Sequence, residues 1–292
     1  MKKTFLRIAL LSLPWGFLFT ACTKDDQDVQ PQEPQTEEIA VNDNTTGLSE
    51  SDEVVAIVED ALDRGGAAMR VSAEQETYVS AYGATITVQK NGDGTGNITV
   101  DFGAGTTGRD GRTRKGKIFI AYTGSYRTHN SRQVVTFGNY YVNDNQVEGQ
   151  KTLLTTIDNS TGSYPIFVSQ IEVASGKITW KDGKTTEWSG ERTRKYDYKN
   201  TLTDFNDDVV TITGTAVGKG RNGIGFTAAT TAPLVVKISC ALSQKSWLPL
   251  AGVLEVTPEA GTRRTVSYGS GDCDRTFSVT ANGRTWNITL RQ

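Results

Sequence analysis

The chain has 292 residues, with 31 Lys or Arg against 33 Asp or Glu, a formal net charge of −2, one histidine and three cysteines. So few His and Cys give little material for a metal centre, and the near-neutral balance is not the footprint of a nucleic-acid binder. The charge is unevenly placed: residues 1–21 carry +3 and residues 22–53 carry −9, which leaves the remainder near +4.

Residues 1–21 have the layout of a secretory signal. Met1-Lys2-Lys3-Thr4-Phe5-Leu6-Arg7 supplies a basic start, Ile8 to Phe19 an apolar stretch too short to span a bilayer, and Thr20-Ala21-Cys22 a small-residue exit. The ending resembles a bacterial lipobox, with Phe19 standing where Leu is usual, so Cys22 is expected to become the lipidated first residue of the mature chain. No later stretch is long enough to span, so the acyl chains are the expected membrane partner, and two or more of them bind stably. From Thr23 to Glu53 ten acidic residues face the single base Lys24, among Pro, Gln and Asn. Such a composition cannot bury enough apolar surface to fold. Residues 22–47 are therefore read as a disordered acidic tether, long enough to hold the folded domain roughly 30 Å from its anchor. Its start, Lys24-Asp25-Asp26 just after Cys22, resembles the surface-export signal of Bacteroidota lipoproteins, which implies an outer-membrane protein displayed at the cell surface.

Residues 48–66 read as an amphipathic helix. Ser51 can cap it, Asp52 and Glu53 suit its first turn, Val54, Val55, Ile57, Val58, Ala61 and Leu62 form an apolar stripe, and Gly65 would stop it. Residues 74–292 then alternate in short runs rich in Val, Ile, Thr and aromatics, punctuated by Gly, Asn and Asp, the pattern of successive hairpins. The expected fold is all-β: an antiparallel meander of about a dozen strands, either a curled sheet or a sandwich, with a division near residues 200–208 left open.

Two hairpins can be read pair by pair. A two-residue Asn282-Gly283 turn sets Ala281 opposite Arg284, Val279 opposite Trp286 and Phe277 opposite Ile288, and gathers the polar pairs on the other face. In Lys177–Trp188 a two-residue turn would throw Trp180 and Trp188 onto opposite faces. A three-residue loop, Lys181-Asp182-Gly183, instead gathers Ile178, Trp180 and Trp188 and places Lys177 opposite Glu187. Further hairpins are expected at Asn91 to Gly96, Asn143 to Gln146 and around Gly218 to Gly225.

With Cys22 lipidated, Cys240 and Cys273 remain, and in an oxidising space such a pair reads as a disulfide. Arg112-Thr113-Arg114-Lys115 is echoed by Arg192-Thr193-Arg194-Lys195. Period two puts Arg112 with Arg114, and Arg192 with Arg194, on single faces. Neighbouring strands would make of them a bidentate site for an acidic glycan, and the competing reading is a solvated, edge-guarding strand face. Trp180, Trp188 and Trp286 are read as core, whereas Trp247, inside the disulfide ring, is the aromatic expected to meet a ligand. Of Tyr140 and Tyr141, on opposite faces, one should be exposed. Gly111 to Lys117 matches the opening of a P-loop, but Ile118 stands where Ser or Thr must reach the magnesium, and a strand is expected to follow. Asp204, Asp207 and Asp208 read as a turn rather than a calcium loop. One histidine and no Gly-x-Ser-x-Gly or His-Glu-x-x-His leave no catalytic constellation.

Phe102 to Tyr126, Tyr140-Tyr141-Val142-Asn143, Val147-Glu148-Gly149, Asn222-Gly223 with Phe226-Thr227, Cys240 and Gly271-Asp272-Cys273-Asp274 are similar to a group of uncharacterised Bacteroidota envelope lipoproteins. The resemblance covers most of the β region and implies location and fold, with no activity attached. The function expected is therefore a non-enzymatic surface module that binds a ligand or partner, such as an acidic glycan, without a cofactor or metal. The alternatives are a structural or assembly lipoprotein partnered by another envelope protein, and a carboxylate-dependent hydrolase.

Overall fold

The computed structural model describes residues 35–68 and 75–289, apart from 109, 202, 203, 205 and 245. The signal segment, Cys22 and residues 22–34 of the expected tether lie outside the described residues. Helix α1 (Gln35–Ala68) is followed by β1 (Gln75–Val79), β2 (Thr85–Lys90), β3 (Thr95–Asp101), β4 (Thr106–Thr107), β5 (Thr113–Thr123) and β6 (Ser131–Val142). Next come β7 (Asn145–Glu148), β8 (Gln150–Asp158), β9 (Ile166–Thr179), β10 (Thr185–Asp197), β11 (Val209–Lys219) and β12 (Gly225–Lys237). Helix α2 (Ile238–Ser243) precedes β13 (Ala251–Pro258), β14 (Arg264–Ser270), β15 (Thr276–Ala281) and β16 (Arg284–Thr289).

All sixteen strands belong to one antiparallel sheet that follows chain order from β1 to β16, with β4 added beside β5 and β8 between β6 and β9. The expected all-β meander is thus the observed one. Strands β10 and β11 pair from Glu187↔Lys219 to Asp197↔Val209, so the sheet is continuous and the chain is not divided near residues 200–208.

The sheet curls around α1. Eight consecutive residues, Ser51 to Val58, are buried. At about 100° per residue they point in every direction, so the helix is covered on all sides. It touches β1, β2 and β3 at one end of the sheet and β13 near the other. Val54, Val55, Ile57, Val58, Ala61 and Leu62, the expected stripe, join Ile86, Ile98, Ile118, Leu254 and Val266 in one hydrophobic cluster. Bulges supply the curvature, since an extra residue bends and twists a strand. Register shifts interrupt the β5/β6, β9/β10, β11/β12, β12/β13 and β13/β14 ladders. Gly116 (φ +83°) and Gly149 (φ +120°) sit at two such bends, where a Cβ would run into the carbonyls of Asn139 and Ser175. Only glycine fits there.

The helix departs from expectation at both ends. It begins at Gln35, so residues 35–47 of the expected tether are helical, and it runs through Gly65 to Ala68. Ser51 is therefore no cap. It lies mid-helix, 3% exposed, and its carbonyl and hydroxyl accept hydrogen bonds from the Lys151 ammonium at 2.8 and 2.9 Å. The acidic composition that argued for disorder is answered by cations of the sheet: Asp43, fully buried, accepts from Arg221 Nε at 2.6 Å and Arg221 N at 2.7 Å. Gly47 is buried against Trp188, where a Cβ would make ordinary contact with the indole at 3.7 Å.

The two hairpins have the expected registers. Ala281↔Arg284, Val279↔Trp286 and Phe277↔Ile288 pair around Asn282 (φ +51°) and Gly283 (φ +75°), a type I′ turn. In the other, Trp180 N donates to Lys184 O at 2.9 Å, Gly183 is left-handed (φ +79°) and Lys177 faces Glu187, the three-residue loop. Trp188 is buried, and Trp180 and Trp286 pack against the core. Tyr140 is fully buried, while Tyr141 lies on the outer face under Lys115.

Cys240 on α2 and Cys273 in the β14–β15 loop form the expected disulfide, with Cα atoms 5.4 Å apart. It closes a loop of more than thirty residues, so Cys240→Ala with Cys273→Ala should lower stability by about 2–4 kcal/mol. Urea unfolding checks this, and a midpoint unchanged by the double substitution would contradict it.

Candidate functional site

The four arginines set by period two do lie on inner strand faces, but β5 and β10 are not neighbours in the sheet. The curl brings both strands onto α1 instead. Arg112 pairs with Glu50 at 2.8 Å and with Glu53, and Arg114 pairs with Glu53 and Asp110. Arg192 pairs with Asp52 at 2.6 Å and Arg194 with Glu59 at 2.5 Å. Helix geometry explains the split: Asp52 and Glu59 are seven residues apart and share a face, roughly opposite that of Glu50 and Glu53. Arg114, Arg192 and Arg194 are buried and Arg112 half-buried. The quartet is thus a bed for the acidic helix, neither an open anion site nor a solvated strand face. Sequence spacing gave the faces correctly and could not give the occupant.

One of the four also borders a cleft. A cavity of about 610 Å³ opens between α1 (Ala56, Glu59, Asp60, Asp63), the β1–β2 turn (Tyr82), the β5–β6 turn (Arg127), β10 (Arg194, Tyr196), and α2 with the loop after it (Leu242, Trp247). Arg194 and Trp247, singled out separately in the sequence, meet here. Leu242 is 62% exposed and forms an apolar rim with the half-buried Trp247. The α2 backbone is fixed from beneath by buried Ile238 and Ala241 and by the disulfide at Cys240. Arg112, Arg114 and Arg192 do not line the cleft.

No family model matches the chain. No curated protein or solved structure matches it either.

Electrostatically, each charged group in the cleft has an ion-pair or hydrogen-bond partner. Glu59 receives Arg194, Asp63 receives Arg127 Nη2 at 3.1 Å, Asp60 accepts the Ala81 amide at 3.0 Å, and Asp110 receives Arg114. Arg127 adopts a left-handed backbone (φ +59°), uncommon for a residue with a Cβ, and lays its guanidinium over Tyr126, Phe167 and Tyr196 at 5.0–5.5 Å. Burial works against the Arg127 charge, but Tyr126, Asp63 and Glu59 more than offset it, so its pKa rises. The Tyr82 phenol is pushed up by burial and then by Asp60, Asp110 and Glu59, and Tyr196 by burial and by its hydrogen bond to Asp208. Both hydroxyls stay protonated, that of Tyr196 donating to Asp208. Neither Tyr82 nor Arg127 carries a sequence signal, because only the fold brings their turns beside α2.

The Asp204–Asp208 segment is a turn of local bonds: Asp204 Oδ1 accepts Asn206 N at 2.9 Å, and Thr201 Oγ1 donates to Asp207 at 2.7 Å. Among the described residues no cluster of His, Cys, Asp and Glu could hold a metal ion. Gly111 to Lys117 leads into strand β5, as expected.

Proposed function

We propose that the chain is a lipid-anchored, non-catalytic binding module of the outer envelope, and that its ligand sits in the cleft between α1 and α2. The observation that carries the reading is the meeting of an exposed Leu242, a half-buried Trp247 and the polar groups of Arg194, Tyr82 and Arg127 around one cavity of about 610 Å³. Concave, partly apolar sites with a few fixed polar groups are where small ligands bind. The cleft carboxylates are engaged by arginines and a backbone amide, which suits a rigid binding wall better than proton transfer. The paired arginines move the reading away from an acidic glycan, since an anion would have to displace Glu59 or Asp63 from its guanidinium.

A thermal-shift screen of metabolites and oligosaccharides tests the cleft. Hits should raise the melting temperature of the parent protein and not that of Trp247→Ala. No hit at all, or hits that shift both equally, would retire the reading. Anchoring is tested separately: the parent protein should incorporate labelled palmitate and sediment with membranes, and Cys22→Ser should do neither. Identical fractionation of the two would overturn the lipid anchor.

A partner-docking role has one observation in its favour. A trough of about 910 Å³ crosses the sheet at Trp188, Phe226 and Val217, and Val217 is 54% exposed. Cross-linking to another envelope protein from position 217, and not from position 242, would favour this role over the cleft.

A further inference from the structure

We infer that the cleft ligand is a neutral saccharide, an uncharged sugar unit whose C–H face lies on Trp247 and whose hydroxyls meet the polar groups of Glu59, Asp63, Arg127 and Arg194. The inference rests on the cleft being the binding site. It starts from charge. Both guanidiniums in the cleft are already neutralised, Arg194 by Glu59 at 2.5 Å and Arg127 by Asp63 at 3.1 Å, so an anionic ligand meets no uncompensated positive charge. Asp110 is held by Arg114 and Asp60 accepts the Ala81 amide, so each cleft carboxylate has a hydrogen-bond donor. An anionic ligand would lose its hydration in the cleft without gaining a free counter-ion.

Hydrogen-bonding capacity nevertheless remains. A guanidinium has five N–H donors and a carboxylate about four acceptor positions, far more than one ion pair consumes. Donors at Arg127 and Arg194 and acceptors at Glu59 and Asp63 therefore both line the cleft. A hydroxyl is both donor and acceptor, so a polyol can satisfy such a lining without disturbing its charge balance. Apolar groups line the same cleft: Trp247 half-buried, Leu242 exposed and Ile238 buried. An aromatic surface of this kind takes the flat apolar face that a sugar ring presents alongside its hydroxyls. Among the common classes of small ligand, a neutral saccharide has both surfaces and no charge.

The test uses the mature full-length protein on a glycan array carrying neutral, acidic (uronic, sialylated, sulfated) and amine-bearing saccharides, followed by calorimetry on the best neutral ligand. Neutral glycans should bind, and their Kd should be unchanged between 50 and 500 mM NaCl, conditions that roughly span Debye lengths of 14 and 4 Å. Trp247→Ala should weaken binding about tenfold or more. Leu242→Glu, at a 62% exposed position where the fold is not at stake, should weaken it even if the tryptophan variant misfolds. Binding confined to acidic or amine-bearing saccharides, but lost in these variants, overturns the neutral-saccharide inference and leaves the cleft as the site. Neutral glycans that bind both variants like the parent, or a protein that binds no saccharide and gives no hit in the thermal-shift screen, overturn the inference and the cleft together. Screen hits confined to non-saccharides, and lost in Leu242→Glu, remove the inference alone.

Discussion

Asp52→Ala is expected to destabilise the protein by about 3–5 kcal/mol, because it leaves the Arg192 guanidinium, 9% exposed, without its carboxylate. Among the described residues the pair is one to one, at 2.6 Å. Arg192→Met combined with Asp52→Leu should recover most of that loss, since the destabilisation comes from a stranded charge and not from the removal of an attraction. The exposed pair Arg263–Glu255, 3.2 Å apart with 63% and 29% of its side chains accessible, is the control: breaking it should cost less than about 1 kcal/mol. Chemical denaturation of these three variants beside the parent decides the point. Equal effects at the buried and exposed pairs would show that the helix is not held by its charges.

Lys151 makes the second large prediction. Its ammonium is bonded to Ser51 within the curled sheet, and burial pulls its pKa from the usual 10.5 down to about 7, with Arg192 adding to the drop and Asp52 and Glu50 opposing it. The folded protein therefore releases this proton more readily than the unfolded chain does. Below pH 7 both states are protonated and the burial penalty is present in full. Between about pH 7 and 10.5 the unfolded state binds more protons, so stability rises with pH. The gain across that window is on the order of 3–5 kcal/mol. Above pH 10 the slope reverses, because burial holds the phenols of Tyr140 and Tyr268 protonated in the fold while unfolded tyrosines ionise. Lys151→Met should flatten the rise between pH 7 and 10 and stabilise the protein at pH 6. A Lys151→Met variant that keeps the parent slope would place the titration elsewhere. The two predictions are coupled: Asp52→Ala removes a negative charge that favours protonated Lys151, so it should move the rising window to lower pH.

The hairpins were legible because their information is local. Asn282-Gly283 specifies its own turn, and the demand that Trp180 and Trp188 share a face is enough to set a three-residue loop at Gly183. The apolar stripe from Val54 to Leu62 was legible for the same reason. The helix boundary was not: residues 35–47 have the composition of a disordered segment, and what makes Asp43 tolerable in a helix is Arg221, 178 residues away. The arginines were legible as faces and illegible as a site, because the anion they attract is this chain's own helix. Trp247 and Arg194 stand 53 positions apart, with no spacing rule to link them to each other or to Tyr82 and Arg127. A cleft built from six separated segments exists only after the sheet has curled.

The enclosed helix also dictates an order of events. Glu59 and Asp52 leave the ribosome 135 and 140 residues ahead of the arginines that neutralise them. Arg112 and Arg114 can engage Glu50 and Glu53 earlier, but until β10 has been synthesised Asp52 and Glu59 lack their arginines, and that face of the helix stays hydrated and open. The lock is set across sequence separations of 135 and 140 residues, which makes for slow maturation and a long interval in which a chaperone can hold the nascent chain by its N-terminal end.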